Sequence, residues 1–321
     1  MSSNSQLSHS LVRVEKISLR GPGVVILTGP SSCGKGEVAQ ALCEMLSIDP
    51  QRHLSMGGIL RNTVERSKQD SNYAKLLAEK YSLSNTVSMF DSIDTTDELS
   101  EKVRRYLPEL QKIFDRNSSA EDVSQLEWLE FCTIRGLLIP NRWTQDLISA
   151  EIDTILQTKN SDNTDGYHLP FILDGYPRTV AAAEHLLGYL SSVNVPVLKV
   201  LHFSISKAEM RTRAGKRGRA DDHEEALRSR FEFYVENVQP SVDYIKTELG
   251  GSAISLIDAH QPEFFEEDGI RKFHLLDSID NVVSTSLRAL GVPRVIVRDL
   301  LEARRELRSY DDLNELHHAH R

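Results

Sequence analysis

Two short segments of the chain carry the residue types that handle phosphate groups. The first is Gly29-Pro30-Ser31-Ser32-Cys33-Gly34-Lys35, which fits the pattern G-x-x-x-x-G-K. It follows the apolar run 24–28 and precedes helical spacing from Gly36. The glycines let successive backbone N–H groups point into one cavity, and the helix N-terminus favours an anion there. Lys35 can then reach the β- and γ-phosphates, so this context favours a phosphate loop over a chance Gly-Lys turn.

The second segment is Asp174-Gly175-Tyr176-Pro177-Arg178-Thr179, which follows the apolar run 171–173. An aspartate at the carboxyl end of a strand lies where open α/β sheets bind ligands. Asp174 can hold Mg²⁺ directly or through water, and Arg178 can take a phosphate with two hydrogen bonds. The simpler alternative is a turn, since Asp, Gly and Pro are common turn residues. A turn alone does not require the arginine.

Basic side chains gather in a third segment, between residues 211 and 230. They are Arg211, Arg213, Lys216, Arg217, Arg219, Arg228 and Arg230. Taken alone, such a run is most simply a solvated surface. Beside a phosphate loop and Arg178, we interpret it as a cluster that stabilises the charge of a transferring phosphoryl group.

Strand and helix patterns alternate around these segments, which predicts a parallel sheet covered on both faces. The predicted strands are 24–28, 171–173, 197–203 and 254–257, and the predicted helices are 36–46, 181–190, 224–249 and 279–290. A loop is expected between the last strand and the last of these helices. The fold class is therefore α/β, a three-layer fold around a phosphate loop.

Two regions break this alternation. Tyr81–Arg135 predicts two helices, 97–116 and 120–134, with Pro108 kinking or splitting the first. The apolar residues of the second helix, around Trp128, are expected to pack on their own domain, although a partner surface is the alternative. The tail predicts one more helix, 298–308, followed by a polar end.

Composition sets limits on the class of protein. The 321 residues carry 38 basic and 47 acidic side chains, a net charge of −9, which argues against broad binding of nucleic acid. The longest apolar runs fall short of the roughly 20 residues of a membrane helix. Three cysteines cannot build a disulfide framework, which fits a reducing compartment. We therefore expect a cytoplasmic protein that binds neither membrane nor nucleic acid.

These segments together resemble the nucleoside monophosphate kinases, the family of the adenylate kinases and UMP/CMP kinases. The segment 174–179 resembles the family signature D-G-[FY]-P-R-T, and 54–61 (LSMGGILR) resembles the segment that opens its monophosphate-binding region. The segment 136–140 (GLLIP) resembles the stretch that lines the acceptor base, and 213–222 (RAGKRGRADD) resembles the lid. The fold implied is a parallel sheet with a helical monophosphate-binding subdomain and a short lid.

The resemblance implies a role for each matching residue. ATP is held by Gly29, Pro30, Ser31, Ser32, Cys33, Gly34, Lys35, Gly36 and Glu37. The monophosphate is held by Ser55, Gly57, Arg61, Leu138, Ile139, Gly175, Arg178, Arg219 and Arg230. The catalytic residues implied are Lys35, Arg178, Arg213, Arg217, Arg219 and Arg230. Asp174 binds Mg²⁺ through water, and Mg²⁺ with ATP is the implied cofactor.

The resemblance also implies a division of the chain. Residues 23–291 form the kinase-like domain, between an N-terminal extension 1–22 and a C-terminal extension 292–321. Within it, 54–158 is the monophosphate-binding region with the helical insertion 81–135, and 211–222 is the lid. This lid is short, because only Gly218 separates Arg217 from Arg219. A protein partner is possible through 81–135 or 292–321.

Several departures from the family pattern bear on function, among them Met56 and Gly58, which replace a small residue and an Asp in the monophosphate segment. Glu37 stands where a hydroxyl residue is usual, so its carboxylate either ligates Mg²⁺ or repels the triphosphate. Ala182 stands where the family usually places a glutamine that reads the base, and loss of such a partner relaxes discrimination. The leading hypothesis is a kinase that phosphorylates AMP, UMP or CMP with ATP. The alternative is a catalytically weak, nucleotide-binding regulatory or interaction protein on the same fold.

Overall fold

The computed structural model describes residues 14–19, 21–91, 97–115, 119–135, 137–157, 169–217 and 224–319. Its centre is a sheet of five parallel strands in the order β2-β3-β1-β4-β5. The strands are β1 (Val24–Thr28), β2 (His53–Ser55), β3 (Phe171–Asp174), β4 (Val197–Ser204) and β5 (Ile254–Asp258). The α/β class and four of these strands agree with the sequence prediction. The sequence pattern did not predict the three-residue strand β2.

Helices surround this sheet and supply most of the remaining structure. They are α1 (Lys35–Met45), α2 (Met56–Gln69), α3 (Ser71–Tyr81), α4 (Asp97–Ile113), α5 (Gln125–Arg135), α6 (Asn141–Gln157), α7 (Val180–Ser192), α8 (Lys207–Arg217), α9 (Glu224–Phe233), α10 (Gln239–Leu249), α11 (Leu275–Ala289) and α12 (Arg294–Ala319). A π-helical turn, Tyr234–Val238, joins α9 to α10. Within the described residues, no helix combines the length and apolarity that a membrane span requires.

The sheet separates two apolar cores. On one face, Val25 and Leu27 pack with buried residues of α1, α11 and α12. On the other face, Val24 and Ile26 pack with α7, Ile245 of α10 and the helices α2 to α6. All four β1 residues are fully buried, as the β-branched run of a central parallel strand requires.

The helices α4 and α5 belong to the second of these cores. Trp128, Leu129 and Phe131 of α5 are fully buried, so they do not form a surface for a partner. The predicted start of α5 was wrong, because Ala120–Asp122 form a 3₁₀ turn instead. The Asp122 side chain accepts hydrogen bonds from the backbone N–H and hydroxyl of Ser119, which caps the start of that turn. Pro108 lies inside α4 without splitting it.

Two predictions about the C-terminal third were wrong. An antiparallel hairpin, β6 (Glu263–Glu267) and β7 (Ile270–His274), occupies part of the expected loop after β5. Asp268 and Gly269 form its turn with φ angles of 55° and 72°, and Asp-Gly is a favoured pair for such turns. The final helix α12 begins at Arg294, before the predicted 298, and continues to Ala319 instead of ending at 308. Its buried residues Val297 and Leu300 belong to the core that α11 also lines.

Candidate active site

The two phosphate-handling segments lie at the same edge of the sheet. Leu27 of β1 lies beside Asp174 of β3 in the parallel register. The backbone N–H of Gly175 donates a hydrogen bond of 3.1 Å to the carbonyl of Leu27. Both strands end here, so the phosphate loop after β1 and the segment after β3 begin side by side. This is the edge at which open α/β sheets bind ligands.

The phosphate loop needs its glycines for two different reasons. A Cβ on Gly29 would lie 2.5 Å from the carbonyl oxygen of Phe203, so no side chain fits there. Gly34 has a φ of 88°, a left-handed conformation that glycine adopts without strain. The loop therefore curls tightly between β4 and the N-terminus of α1.

Lys35 lies folded over this loop. Its ammonium group donates hydrogen bonds to the carbonyl oxygens of Gly29 at 3.1 Å and Pro30 at 2.8 Å. It also lies 3.5 Å from the sulfur of Cys33, which is buried and fills space in the loop. The ammonium group of Lys35 thus lies beside the loop backbone, where a bound phosphate would contact it.

Asp174 carries an unused acceptor at the neighbouring position. Its side chain is largely buried, and within the described part of the chain its Oδ1 atom has no hydrogen-bond partner. Its Oδ2 atom lies 3.8 Å from Nε2 of His53. A buried carboxylate oxygen without a partner is costly, and it is a ligand type that Mg²⁺ prefers, directly or through water. The site therefore fits Mg²⁺ bound with a nucleotide.

Arg178 and Thr179 follow Asp174 into α7. The Nε of Arg178 donates to the carbonyl of Gly175 at 2.9 Å, and the side chain of Arg178 remains exposed. The hydroxyl oxygen of Thr179 caps α7 by accepting from the N–H of Ala182. The same hydroxyl donates to Asn141 at the start of α6, which fixes α6 against α7.

The residues expected to hold a monophosphate begin at the end of β2. Ser55 lies beside Asp174 in the register of β2 and β3. A Cβ built on Gly57 would lie 3.3 Å from Nη1 of Arg61, so Gly57 leaves room for that guanidinium. Leu138 is 41% exposed, whereas its neighbour Ile139 is buried. Of these two, Leu138 alone presents substantial apolar surface.

Arg213 is the basic residue that the structure brings beside the phosphate loop. Its Nη1 atom lies 3.9 Å from a Cβ built on Gly34. Its Nε donates to Glu209 at 2.8 Å, and its Nη2 donates to the carbonyl of Ala259 at 2.9 Å. Burial alone would raise the pKa of Glu209, but Arg213 and the nearby His260 lower it below its ordinary value. The carboxylate therefore stays charged and holds Arg213 in place.

The other predicted arginines are less fully described. Arg230 lies half-buried in α9. Arg217 ends α8, but its side chain lies outside the described residues, as does all of Arg219. Glu37 and Gly36 are exposed in the first turn of α1, next to Lys35. Ala182 is buried at the start of α7, so it offers no polar group to a base.

Sequence reasoning missed three residues near this site. His53 precedes Ser55 by two positions, and the alternation of a strand puts both on one face. Glu209 and His260 support Arg213 from α8 and from the loop after β5. Glu209 precedes Arg213 by four positions on a helix, which is the spacing of a paired carboxylate and cation. That signal was present in the sequence.

Comparison with known proteins identifies similar sequences. A sequence model of the adenylate kinase family matches residues 127–249. An adenylate kinase of Mycobacterium sp. (strain MCS) is 27% identical over 267 residues, covering 83% of this chain and 98% of that protein. The adenylate kinase of Mycolicibacterium smegmatis is 39% identical over 146 residues, covering 46% of this chain and 68% of that protein.

Among solved structures, a gluconokinase from Sinorhizobium meliloti 1021 aligns over 85% of this chain and 94% of its own. Its TM-score is 0.34 and its identity 10%, values that add nothing to the argument. The assignment therefore rests on the sequence relatives, with the parallel sheet and phosphate loop in agreement. The chain belongs to the adenylate kinase family of nucleoside monophosphate kinases, and it is a phosphotransferase.

Proposed function

We propose that this phosphotransferase moves the γ-phosphoryl group of ATP to AMP, UMP or CMP. The observation that carries the proposal is the hydrogen bond between Gly175 and Leu27, because it joins the segment for the acceptor to the loop for the donor. Two phosphate-binding segments side by side suit a reaction in which a phosphoryl group passes between two bound nucleotides.

The donor side uses the loop 29–37. Its backbone N–H groups and the N-terminus of α1 attract the ATP phosphates. Lys35 exchanges its two loop carbonyls, at 3.1 and 2.8 Å, for oxygens of the β- and γ-phosphates. Asp174 supplies the carboxylate that would hold Mg²⁺ through water. When bound, this ion neutralises charge on the phosphate oxygens.

The acceptor side uses the region 54–158 together with Gly175 and Arg178. Ser55, Gly57 and Arg61 lie at the turn from β2 into α2, and the exposed guanidinium groups of Arg61 and Arg178 grip the monophosphate. Exposed Leu138 and buried Ile139 would line the base. Because Ala182 offers no polar contact, we expect discrimination among bases to be weak.

The closing part of the site is the lid, residues 211–222, with α9 after it. In this proposal Arg213, Arg217, Arg219 and Arg230 surround the transferring phosphoryl group and stabilise the charge on its oxygens. Closure also keeps water away from the donor phosphate. No general base is required, since positioning and charge stabilisation carry most of the reaction.

A coupled assay that measures ADP formation with ATP, Mg²⁺ and each monophosphate tests the proposal. Lys35→Met is expected to lower kcat about a hundredfold or more, the usual cost of removing a group that stabilises transition-state charge. Lys199→Met is the matched control, because that lysine is exposed and donates to the carbonyl of Ser252. Folded wild-type protein without activity on any monophosphate would overturn the proposal.

A thermal-shift panel identifies the acceptor independently of turnover. A ligand present at about a hundred times its Kd stabilises the folded protein by about 2.7 kcal/mol. The monophosphates that raise the melting temperature are expected to be those that turn over. A monophosphate that binds tightly but is not phosphorylated would contradict the assigned acceptor.

A further inference from the structure

A hydrogen bond between a strand and a π-helical turn lies close to the phosphate loop. The turn Tyr234–Val238 interrupts the long helix from α9 to α10. The first residue of that turn, Tyr234, shares a hydrogen bond of 2.7 Å between its hydroxyl and Nε2 of His202 in β4. Single π-helical turns are rare, and they occur frequently at functional sites. None of the roles assigned above uses His202 or Tyr234.

His202 lies in the strand on which the phosphate loop rests. In the parallel register it lies beside Thr28, the last residue of β1 before the loop. The next residue, Phe203, presents the carbonyl that makes a side chain at Gly29 impossible. Burial lowers the pKa of His202, and the positive charge of Lys35 lowers it further, while Asp243 opposes them. His202 therefore lies within electrostatic reach of the loop.

Tyr234 lies on the helix that carries a proposed catalytic arginine. Arg230 precedes Tyr234 by four positions along the helix, so the two side chains lie on the same side. Phe231 packs against Tyr234 with ring centroids 6.2 Å apart. Phe231 also packs against a small core of Met210, Ala214 and Leu227. That core joins α9 to α8, the helix of Arg213.

The helices α8 and α9 thus form a unit with its own small core. At the α9 end of this unit, the Tyr234–His202 bond connects it to the central sheet. At the α8 end, the bond from Arg213 to the carbonyl of Ala259 makes a second connection. The position of this unit relative to the phosphate loop decides where the guanidinium of Arg230 meets a transferring phosphoryl group.

We propose that His202 and Tyr234 are positioning residues for phosphoryl transfer. Their hydrogen bond holds α9, and with it Arg230, at a fixed distance from the phosphate loop. The inference rests on the function proposed above, because it needs Arg230 to act on the transferring group. A purely structural bond would stabilise the fold and leave turnover unchanged.

Tyr234→Phe removes only the hydroxyl and is the first test. A misplaced group acting mainly in the transition state lowers kcat with little effect on KM. Since misplacement by about 1 Å can cost a hundredfold, we expect kcat to fall at least tenfold, with both KM values within about threefold. Tyr189→Phe is the matched control, because that hydroxyl on α7 bonds the Ser149 carbonyl at 3.1 Å and the Asp153 carboxylate, both on α6. Its kcat is expected to stay within about twofold.

Two variants of His202 complete the test. His202→Gln keeps a polar group that can meet the Tyr234 hydroxyl, so kcat is expected to recover to within about threefold of wild type. His202→Leu cannot form the bond and is expected to match Tyr234→Phe. The double variant His202→Leu/Tyr234→Phe is expected to be no slower than either single variant, because both remove the same interaction.

The outcomes separate this inference from the proposed function. Each variant is first checked for a cooperative thermal transition. If the wild-type protein is active and Tyr234→Phe has an unchanged kcat, the positioning role is overturned but the proposed function is not. An equal loss in Tyr189→Phe would also overturn it, since the effect would then be general destabilisation. Wild-type protein that phosphorylates no monophosphate would remove the proposed function and this inference with it.

Discussion

A buried carboxylate fastens the C-terminal helix to the rest of the molecule, and its removal is expected to destabilise the fold. Asp280 of α11 is fully buried. It accepts hydrogen bonds from Arg304 at 2.8 Å, Arg305 at 3.4 Å and Arg308 at 2.6 Å, all from α12. The substitution Asp280→Asn keeps the shape of the side chain and removes its charge.

The expected loss of unfolding free energy depends on which ion pairs the three arginines keep after the substitution. Removing one partner of a buried ion pair typically costs about 3–5 kcal/mol, because the remaining charge is left buried without compensation. Arg304 keeps an ion pair with Glu44 at 3.1 Å, and Arg305 keeps one with Asp277 at 3.1 Å. We therefore expect the lower end of that range, a loss of about 3 kcal/mol. That is a large share of a typical unfolding free energy of about 5–15 kcal/mol.

Urea unfolding followed by far-ultraviolet circular dichroism measures this loss. Asp277→Asn is the matched control on the same helix, because its carboxylate is partly exposed and pairs with the half-exposed Arg305 and with the exposed His274. Such exposed pairs contribute about 1 kcal/mol or less. The reasoning is refuted if Asp280→Asn costs less than about 1 kcal/mol, or no more than Asp277→Asn does.

Three further predictions concern the loop, a buried arginine and pH. Glu37→Thr removes a negative charge beside the proposed ATP site and should tighten ATP binding by about 1 kcal/mol, roughly fivefold in Kd. Calorimetry should show that this gain in affinity shrinks as salt is added. An unchanged ATP affinity would contradict the prediction. Arg52 donates to the carbonyls of Leu169 at 3.0 Å and Ile155 at 3.2 Å. Arg52→Met should therefore lower the unfolding free energy measured in urea by about 2–3 kcal/mol. A loss below about 1 kcal/mol would count against a structural role of these bonds. Because the pKa of His202 is lowered from 6.5 by burial and by Lys35, against the opposing Asp243, the unfolded chain binds a proton first as the pH falls. The stability associated with neutral His202 is thus present above pH 6.5 and lost below it. The fall in unfolding free energy from pH 7.5 to 5.5 should be smaller in His202→Gln, and an equal fall in both proteins contradicts the assignment.

Much of the fold could be predicted because local patterns and burial agree. The run at β1 is apolar and β-branched and is followed by a glycine, and it lies at the centre of a parallel sheet. Its local pattern and its buried position therefore both indicate a strand. The three residues of β2 were too few to give a pattern. The hairpin β6–β7 carried a turn signal in Asp268-Gly269, but its strands mix aromatic and charged residues, which hid the alternation.

The packing of the C-terminal helix could not be predicted for a different reason. Sequence spacing describes one helix at a time, whereas α12 is held by Asp280 on α11 and by Glu44 on α1. Those partners precede Arg304 by 24 and 260 positions. No local pattern reports an interaction at such separations, so the packing of α12 on α11 and α1 could not be derived from the tail alone.

By itself, the sequence determined the chemistry of the site. The glycines and Lys35 of the phosphate loop, and the aspartate and arginine of the segment 174–179, each require particular residue types in a fixed local order, and that order is readable. Tertiary structure alone decided which distant groups support them. His53 lies beside Asp174, the carbonyl of Ala259 accepts from Arg213, and His202 bonds Tyr234. These contacts join separate strands and helices, and only the packing of the sheet against its helices brings them within hydrogen-bond or ion-pair distance.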